Sequence, residues 1–461
     1  MSDKLFGTSG IRGGIRDKVN TDLGMSLGRA LGTTLKGTGK VGIGTDARTS
    51  RVMLKNAFTA GLLSTGIDII DLGFTPMPAV ASHSTFDDID VSVIITASHN
   101  PPGDNGFKFF KEGREFIRSE EASLENAITN GEFVIADWSS IGEISKYDIY
   151  ETYMNHALKF LEVRGSKGDN MSVLVDLANG AAVPYTPSLL TRLNFSVTTI
   201  NAHPDGYFPG RFAEPSPQNL EDTMQIAKNS DFALTICHDG DGDRLAVIDE
   251  EGKFIDQNRI IALFARDEIR RKGEGLVVVS IDTSSVIDEV VKAEGGQVIR
   301  APLGSLQEVF SKRAKEVVFS SEPWKPIFSD LGWWMDGIVG AARLAQMVHE
   351  EGNSSCLELM KSIPEYPMLR EHIKCPDKYK SQFMSNIREI IENEITNIDQ
   401  VIDVDGIRVE RTDGSYVLIR VSGTEPKARV YIGAKNESTL EKLANHAREI
   451  MKSSLDKALE S

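Results

Sequence analysis

The sequence predicts an α/β protein with three related mixed-sheet α/β domains and a smaller α+β domain at its carboxyl end, arranged around a central cleft. Apolar strands alternate with helical segments over most of the chain, which is typical of mixed or parallel sheets with crossover helices. This pattern occurs three times, each time with one strand that ends near an Asp and a later strand that runs into a polar loop. After Tyr366 the pattern changes to consecutive strands and a final helix.

The three copies place polar residues at corresponding positions. Each begins with a strand that ends near Asp46, Asp176 or Asp282, and a helical segment follows. The later strands run into the polar loops 96–102, 238–244 and 320–325. Because open α/β sheets bind ligands beyond the carboxyl ends of their strands, we expect these loops to carry function. The uneven lengths of the copies leave open that they are three unrelated α/β domains.

Length and breaks in periodicity predict four domains. The 461 residues suggest about three domains, give or take one. Apolar residues at helical spacing between Tyr147 and Leu161 indicate a helix rather than a flexible linker after the first domain. Pro364–Pro367 ends helical periodicity before the last domain. The predicted domains are 1–150, 151–254, 255–366 and 367–461.

The carboxyl-terminal segment has the pattern of a small α+β domain. Strands are predicted at 404–409, 415–421 and 428–432. Asp413-Gly414 predicts the turn that enters the second of them. Ser438, with Glu441 three residues later, is typical of a capping box, and the apolar stripe that follows predicts a final helix.

Composition excludes several classes of protein. The formal net charge of −16 argues against nonspecific nucleic-acid binding, which needs a basic surface, but an anionic substrate is compatible with a cleft that gathers Arg and Lys. The three cysteines are far apart and suggest neither a disulfide framework nor a zinc site. No apolar run has the length of a signal peptide or a membrane span. We therefore predict a cytoplasmic protein without nucleic-acid or membrane partners, and both a monomer and a homo-oligomer are left open.

Asp239, Asp241 and Asp243 give the strongest chemical signal in the chain. Carboxylates at alternate positions with glycines between them can surround one hard cation, and like charges this close repel each other unless a cation neutralises them. A calcium EF-hand is rejected because Arg244 stands where that loop needs glycine, and because both flanks have strand patterns. A solvated acidic turn is the simpler alternative.

Ser98 follows a fully apolar strand, where an α/β sheet presents its ligand-binding residues. Taken alone, such a serine is more often a helix N-cap. Lys108, which comes after the predicted turn 103–106, offers an ammonium group near the same loop. A hydroxyl, an ammonium and a cation site in one chain suit phosphoryl transfer, which depends on positioning and on stabilisation of charge.

Two further stretches combine glycine, hydroxyl groups and positive charge. Residues 420–429 lie between two predicted strands, where Gly423 frees backbone N–H groups and Arg420 and Arg429 add charge. This combination indicates an anion-binding loop, and a basic hairpin turn is the alternative. Residues 6–13 have similar ingredients and could equally form an ordinary turn. Neither stretch matches a Walker A loop or a dinucleotide-binding fingerprint.

Together these motifs resemble the α-D-phosphohexomutase superfamily, which includes phosphoglucomutase, phosphomannomutase and phosphoglucosamine mutase. The resemblance covers the whole chain and rests on four motifs in order: Phe-Gly-Thr-Ser-Gly-Ile-Arg-Gly at 6–13, Thr-Ala-Ser-His-Asn-Pro at 96–101, Asp-Gly-Asp-Gly-Asp-Arg at 239–244 and Arg-Val-Ser-Gly-Thr-Glu-Pro at 420–426. It implies a four-domain isomerase that interconverts hexose 6-phosphate and hexose 1-phosphate. The phosphoryl group would pass through a phosphoserine and a hexose 1,6-bisphosphate, which also serves as the activator.

The resemblance also implies roles for individual residues. Ser98 would carry the phosphoryl group, and Lys108 would act as general acid or base. The transferring group would be contacted by His99, Arg12 and Arg244. One Mg²⁺ would be held by Asp239, Asp241, Asp243 and an oxygen of phosphorylated Ser98. The substrate would be bound by Glu322, Trp324, Lys325 and Gly304, and its non-reacting phosphate by Arg420, Ser422, Gly423, Thr424 and Arg429.

The loop at Glu322 departs from the usual family pattern, in which Gly-His or Gly-Gly follows shortly after the glutamate. Trp324 and Lys325 stand in that stretch, so we expect Glu322 to bind sugar hydroxyls while the preferred sugar is left open. The Gly-Thr-Ser-Gly opening and the chain length favour glucosamine phosphate, with mannose or glucose phosphate as the alternative. Two other classes stay open: a phosphatase or mutase phosphorylated on Asp239, and a catalytically silent sugar-phosphate binding protein.

Overall fold

The computed structural model describes residues 5–351, 355–423 and 425–460, so Thr424 of the predicted anion-binding loop lies outside the described residues. By backbone contacts the chain divides into two compact units. The first unit contains residues 1–255 and 324–361, and the second contains residues 256–323 and 362–461.

The first sheet, which belongs to the first unit, is mixed. Its strands are β1 (Ile11–Gly14), β2 (Lys40–Thr45), β3 (Asp68–Phe74), β4 (Val91–Ile95), β5 (Asp104–Lys111), β6 (Arg114–Glu115) and β7 (Ile144–Lys146), and its helices are α1 (Thr21–Thr34), α2 (Arg51–Leu63), α3 (Met77–His83) and α4 (Arg118–Asn130). The strand order is β1-β5-β4-β2-β3-β7, with β6 beside β5. β4 and β3 flank β2 in parallel, whereas β5 runs antiparallel to β4. The predicted turn at 103–106 is wrong in extent, because β5 already begins at Asp104 and only Pro102 and Gly103 form the turn.

The second sheet follows the predicted linker helix, which is confirmed as α5 (Tyr150–Glu162). Its elements are β8 (Ser172–Asp176), α6 (Thr186–Arg192), β9 (Ser196–Ile200), α7 (Glu221–Lys228), β10 (Leu234–Cys237) and β11 (Ala246–Ile248). The order is β11-β10-β8-β9, with β8, β9 and β10 parallel and β11 antiparallel. The acidic run therefore joins two strands, as the rejection of the EF-hand requires.

Three strands of the third sheet lie in the second unit. Its elements are α8 (Gln257–Lys272), β12 (Leu276–Ser280), α9 (Val286–Ala293), β13 (Gln297–Ala301), α10 (Leu306–Arg313) and β14 (Val317–Glu322). β13 and β14 both pair with β12 in parallel. The chain then returns to the first unit with β15 (Lys325–Phe328), α11 (Gly337–Glu350) and α12 (Cys356–Lys361).

The same strand order recurs in these three sheets, namely β3-β2-β4, β9-β8-β10 and β13-β12-β14. In each, the strand that ends near an Asp is the parallel neighbour of the strand that runs into the polar loop. Parallel neighbours end at the same edge of a sheet, so the Asp and the polar loop of each copy lie close together. The predicted threefold α/β repeat is confirmed.

The carboxyl-terminal part of the second unit is a small antiparallel sheet covered by two helices. It contains β16 (Met368–Lys374), α13 (Lys380–Glu394), β17 (Ile398–Ile402), β18 (Ile407–Arg411), β19 (Tyr416–Val421), β20 (Lys427–Gly433) and α14 (Glu437–Glu460). The order is β16-β20-β19-β18-β17. The apolar sides of sheet and helices form one core that includes Phe383, Val417 and Leu443. Among the described residues, no helix is long and apolar enough to cross a bilayer.

Two details predicted for this domain are wrong. The strand predicted from Val404 begins only at Ile407, because Val404 is exposed in a turn where Gly406 has a φ of +93°. The capping box at Ser438 does not form, since Asn436 caps the helix by accepting a hydrogen bond from the Thr439 N–H at 3.0 Å. Helix α14 begins at Glu437, so Ser438 lies inside its first turn.

His83 makes the first sheet sensitive to acid. Its buried ring contacts the Ser92 hydroxyl at 2.9 Å and packs on Gly42, where a Cβ would lie 2.4 Å from Nδ1. Burial lowers the pKa of His83 from 6.5 to about 4. Between pH 6.5 and pH 4 the unfolded chain therefore protonates His83 while the folded chain does not. The free energy of unfolding that this group contributes is fully present above pH 6.5 and is lost as the pH falls towards 4.

We therefore expect the unfolding free energy to fall by about 2 kcal/mol more between pH 7 and pH 5 in the wild type than in His83→Gln. Urea unfolding of both proteins at the two pH values measures this difference. The exposed His203 gives a control, since His203→Gln should retain the wild-type pH dependence. Equal pH dependence in the wild type and His83→Gln would show that His83 titrates normally.

Candidate active site

Ser98 lies in the loop that follows β4, which we call the serine loop (residues 96–104). Its side chain is buried, and its φ of +52° places it in the left-handed region. The Ser98 N–H donates to Thr96 Oγ1 at 2.8 Å, and no helix begins here, so the N-cap interpretation is wrong. The Ser98 hydroxyl donates to Asp239 Oδ2 at 2.5 Å and lies 3.3 Å from His99 Nδ1. The nucleophile predicted from sequence therefore contacts the predicted metal ligands.

Asp239, Asp241 and Asp243 form a buried carboxylate cluster in the acidic loop (residues 238–244). One oxygen from each lies within 4.8 Å of the others, and none of the three residues is exposed, so the solvated-turn interpretation is wrong. Oδ1 of Asp241 and Oδ1 of Asp243 are buried and accept no hydrogen bond from any described residue. Burial and the charges of the other two carboxylates raise the pKa of Asp239 well above its usual value. The cluster has the charge and the open oxygen atoms that a hard cation needs.

Lys108 binds the opposite oxygens of the same carboxylates. It lies on β5, paired with Ile94 of β4, and its Nζ is 3.0 Å from Asp241 Oδ2 and 2.7 Å from Asp243 Oδ2. Burial alone would lower the pKa of Lys108, but the two carboxylates raise it above its usual value. Burial would likewise raise the pKa of Asp243, but Lys108, Lys325 and Arg244 hold it below its usual range. Lys108 is thus an ammonium group fixed beside the cluster.

Arg12, Arg244 and His99 add positive and polar groups near the serine loop. Nε and Nη2 of Arg12, and Nε and Nη1 of Arg244, are buried and have no hydrogen-bond partner in the part of the chain that the structure describes. Arg244 Nη2 lies 3.3 Å from His99 Nε2, and Nη1 lies 3.5 Å from Glu214. Burial, followed by the charges of Arg244, Arg12 and Lys325, lowers the pKa of His99. Buried guanidinium nitrogens without acceptors are suited to an anionic group such as a phosphoryl.

Trp324 and Lys325, which replace the usual family residues, are held beside the acidic loop. The Trp324 carbonyl accepts a hydrogen bond from Leu245 N at 2.8 Å, and its ring centre lies 5.3 Å from the guanidinium carbon of Arg244. Trp324 has a φ of +69°, a strained conformation for a residue with a side chain. Lys325 is buried, with Nζ 3.8 Å from Asp243 Oδ2. The structure therefore places Lys325 beside the carboxylate cluster and the Trp324 ring beside Arg244.

Glu322 and Gly304 lie in the second unit and contact each other. Oε1 of Glu322 accepts a hydrogen bond from the Gly304 N–H at 2.6 Å. Gly304 has a φ of +69°, which glycine adopts without strain. This hydrogen bond fixes the carboxylate predicted to bind the sugar.

The anion loop (residues 420–429) connects β19 to β20. Arg420 and Arg429 face each other across these antiparallel strands. Arg420 pairs with Asp405 at 2.8 Å, and its Nε is buried with no hydrogen-bond partner among the described residues, which leave out Thr424. Arg429 pairs with Glu425, whose N–H donates to Ser422 Oγ at 3.2 Å. The described residues form the predicted basic hairpin, and anion binding by it stays a prediction.

Four family models match successive parts of the chain. Residues 3–134, 151–252 and 256–366 match phosphoglucomutase/phosphomannomutase alpha/beta/alpha domains I, II and III, and residues 372–450 match the C-terminal domain. The chain belongs to the phosphoglucomutase/phosphomannomutase family. The resemblance, the four-domain fold and the assignment to the isomerases called phosphohexomutases are confirmed.

Relatives within the phosphoglucomutase/phosphomannomutase family differ in the sugar that they are named for. A phosphopentomutase from Thermococcus kodakarensis is 42% identical over 442 residues, which cover 95% of this chain and 96% of the relative. A probable phosphoglucosamine mutase from Methanopyrus kandleri is 38% identical over 462 residues, 99% and 100% of the two chains. The crystal structure of a family protein from Burkholderia thailandensis shares the fold with a TM-score of 0.88 at 24% identity, over 98% of each chain.

Sequence reasoning missed a set of basic residues that hold the functional loops by their backbone carbonyls. Arg48 binds the serine loop, Arg211 donates to the His238 carbonyl at 2.7 Å, and Lys380 donates to two carbonyls of the anion loop. Arg48 stands two residues after Asp46, which marked the strand end in the sequence. The position of Arg48 next to the end of a strand could have marked it as a candidate site residue. The sequence does not show, however, that its side chain binds main-chain carbonyls.

Proposed function

We propose that this protein moves a phosphoryl group within a sugar phosphate by way of phosphorylated Ser98. The observation that carries the proposal is the 2.5 Å hydrogen bond between the Ser98 hydroxyl and Asp239, in a buried cluster where Asp241 and Asp243 each keep one open oxygen. Phosphoryl transfer needs a positioned nucleophile and concentrated positive charge. The hydroxyl, the cation site and the buried guanidinium groups supply both.

The carboxylate cluster fits one magnesium ion. Its open oxygens are hard ligands, and a hydroxyl that is phosphorylated in the working enzyme lies beside them. We assign Asp239, Asp241, Asp243 and a phosphate oxygen of Ser98 as the ligands. When bound, magnesium would withdraw negative charge from the transferring phosphoryl group.

The neighbouring side chains then act on the transferring group. In the first transfer the bond from phosphorus to Ser98 Oγ breaks, a bond from phosphorus to a sugar hydroxyl oxygen forms, and the hydroxyl proton leaves to the general base. In the second transfer the phosphorus–oxygen bond at the other end of the sugar breaks, Ser98 Oγ regains the phosphoryl group, and the sugar oxygen regains a proton. Arg12 and Arg244 stabilise charge on the phosphoryl oxygens through their open N–H groups. His99, neutral because its pKa is lowered, contacts Ser98 Oγ. Lys108 adds an ammonium charge, and its role as general acid or base stays a prediction.

The anion loop is assigned to the phosphate that does not react. Arg420 offers a buried open nitrogen, and Ser422, Gly423 and Arg429 add donors from the same hairpin, with Thr424 as a predicted further donor. A sugar 1,6-bisphosphate formed by the first transfer must turn around before the second. The loop therefore has to accept the sugar in two orientations, and added bisphosphate would act as the activator by phosphorylating Ser98.

Glucosamine phosphate is the proposed substrate, bound through Glu322, Trp324, Lys325 and Gly304. The relative from Methanopyrus, which the chain matches from end to end, is named for that sugar. A pentose phosphate is the second candidate, because the relative at 42% identity is named a phosphopentomutase.

A side-by-side assay decides the sugar. Purified protein with Mg²⁺ and a trace of the matching bisphosphate is given the phosphates of glucosamine, mannose, glucose and ribose. We expect kcat/KM for glucosamine phosphate to exceed the others by at least about 10-fold. If kcat/KM is highest on ribose phosphate, the second candidate is correct. If it is highest on mannose or glucose phosphate, the protein is a phosphomannomutase or a phosphoglucomutase. No conversion of any sugar would contradict the mutase function and favour a silent binding protein.

Three features stay predictions from sequence. They are the domain limits 1–150, 151–254, 255–366 and 367–461, the cytoplasmic location, and the absence of nucleic-acid and membrane partners.

A further inference from the structure

Four of the five side-chain N–H groups of Arg48 donate to the serine loop. Its side chain is fully buried, and Nε donates to Asp46 Oδ2 at 3.2 Å. The four remaining N–H bonds go to main-chain carbonyls, namely Ser98 O at 2.9 Å, Asn100 O at 2.6 Å, Pro101 O at 2.6 Å and Asp104 O at 2.8 Å. The planar fork of an arginine has five donors, and all five are used here.

The serine loop needs such an external partner. Pro101 and Pro102 have no N–H groups, so this part of the loop has few donors for its own carbonyls. Ser98 is held at a φ of +52°, which few residues other than glycine adopt. The Pro101 carbonyl also accepts from the Asp104 N–H at 3.0 Å within the loop, and Arg48 adds four donors to the loop carbonyls, which fixes the backbone that carries the nucleophile.

Phe208 connects Arg48 to the acidic loop. Its buried ring lies with its centre 5.1 Å from the guanidinium carbon of Arg48. The same ring would lie 3.4 Å from a Cβ at Gly240, and that Cβ would be 2.6 Å from the Ser98 carbonyl oxygen. Close to Phe208, a Cβ on Gly206 would lie 2.6 Å from the Ala47 carbonyl oxygen. Arg48, Phe208, the serine loop and the acidic loop are therefore packed together without room for further atoms.

We propose that Arg48 and Phe208 are positioning residues for phosphoryl transfer. They hold the backbone of the serine loop against the acidic loop, so that Ser98 Oγ stays within hydrogen-bonding distance of Asp239. This inference rests on the proposed function, because the position of Ser98 limits the rate only if Ser98 carries the phosphoryl group. Misplacement of a reacting group by about 1 Å can cost about 100-fold in rate.

Arg48→Lys keeps the charge but leaves three donors for four carbonyls and one carboxylate. We expect kcat to fall by at least about 100-fold. KM for the sugar phosphate should stay within about 3-fold of wild type, because the described hydrogen bonds of the Arg48 side chain go to Asp46 and the serine loop and not to the assigned sugar-binding residues. The rate of Ser98 phosphorylation by the bisphosphate should fall by the same factor. Phe208→Leu, which keeps apolar volume and loses the flat ring over Arg48, should lower kcat by about 10-fold with KM unchanged.

Arg51→Lys is the matched control, since Arg51 is a nearby arginine whose Nη1 contacts only the Ala47 carbonyl among the described hydrogen bonds. It should retain kcat within about 2-fold. Folded variants with wild-type kcat, or with a raised KM at constant kcat, would overturn the inference. If Arg48→Lys does not fold, Phe208→Leu decides, and a wild-type kcat there overturns it. If the wild type is inactive, the proposed function is wrong. If the wild type and both variants are equally active, the proposed function stands and only the role of Arg48 and Phe208 is wrong.

Discussion

Ser98→Ala should lower turnover by at least about 10⁴-fold, because no side-chain oxygen is left to accept the phosphoryl group. The fold should persist, since the Ser98 N–H still donates to Thr96 and the Ser98 carbonyl still accepts from Arg48. Steady-state assays with Mg²⁺ and bisphosphate measure the loss, and thermal unfolding checks the fold.

Ser82→Ala is the control for this experiment. Ser82 is another buried serine packed with the first sheet, and among the described residues its hydroxyl is seen to donate to the Ala79 carbonyl within α3 at 2.8 Å. This variant should be as active as the wild type. Turnover of Ser98→Ala within 10-fold of wild type would rule out Ser98 as the nucleophile.

Asp241→Asn should raise the Mg²⁺ concentration for half-maximal activity by at least about 100-fold and lower kcat by a similar factor. The substitution removes one charge from the buried cluster and replaces one of the two carboxylate oxygens, either the open Oδ1 or the Oδ2 that accepts from Lys108, with an amide N–H₂. Chelation of divalent cations should abolish wild-type activity, and added Mg²⁺ should restore it.

Metal binding can also be measured without activity. Because a cation that binds only the folded protein stabilises it, Mg²⁺ should raise the thermal midpoint of the wild type and have little effect on Asp241→Asn. The exposed Asp222 of α7 provides the control, since Asp222→Asn should keep the Mg²⁺-induced rise. An equal rise in wild type and Asp241→Asn would place the magnesium site elsewhere.

Local chemistry made the fold and most site residues predictable. Strand patterns ending near Asp46, Asp176 and Asp282 gave the threefold repeat, because parallel sheets need apolar strands joined by helices. The alternating carboxylates of the acidic loop predicted a cation site because such repulsion needs compensation. The four ordered motifs predict Ser98 as the nucleophile, whereas a lone serine after a strand predicts only a helix N-cap.

Contacts between distant segments could not be predicted. Arg48 binds carbonyls about 50 positions along the chain, and main-chain acceptors leave no mark in the sequence. The helix cap at Asn436 was missed because Ser438 with Glu441 fits the local rule equally well. The left-handed backbone at Trp324 occurs where its carbonyl accepts from Leu245 and its ring lies over Arg244, two residues between β10 and β11 that are distant in sequence.

The chemical nature of the phosphorylated residue tests the central claim most directly. Protein labelled with radioactive phosphate from a sugar 1,6-bisphosphate is treated with hydroxylamine, which cleaves acyl phosphates and spares phosphoserine, and the labelled peptide is mapped by mass spectrometry. We predict a label that survives treatment and maps to Ser98. A label that hydroxylamine removes and that maps to Asp239 would contradict the assignment and identify an aspartyl-phosphate enzyme.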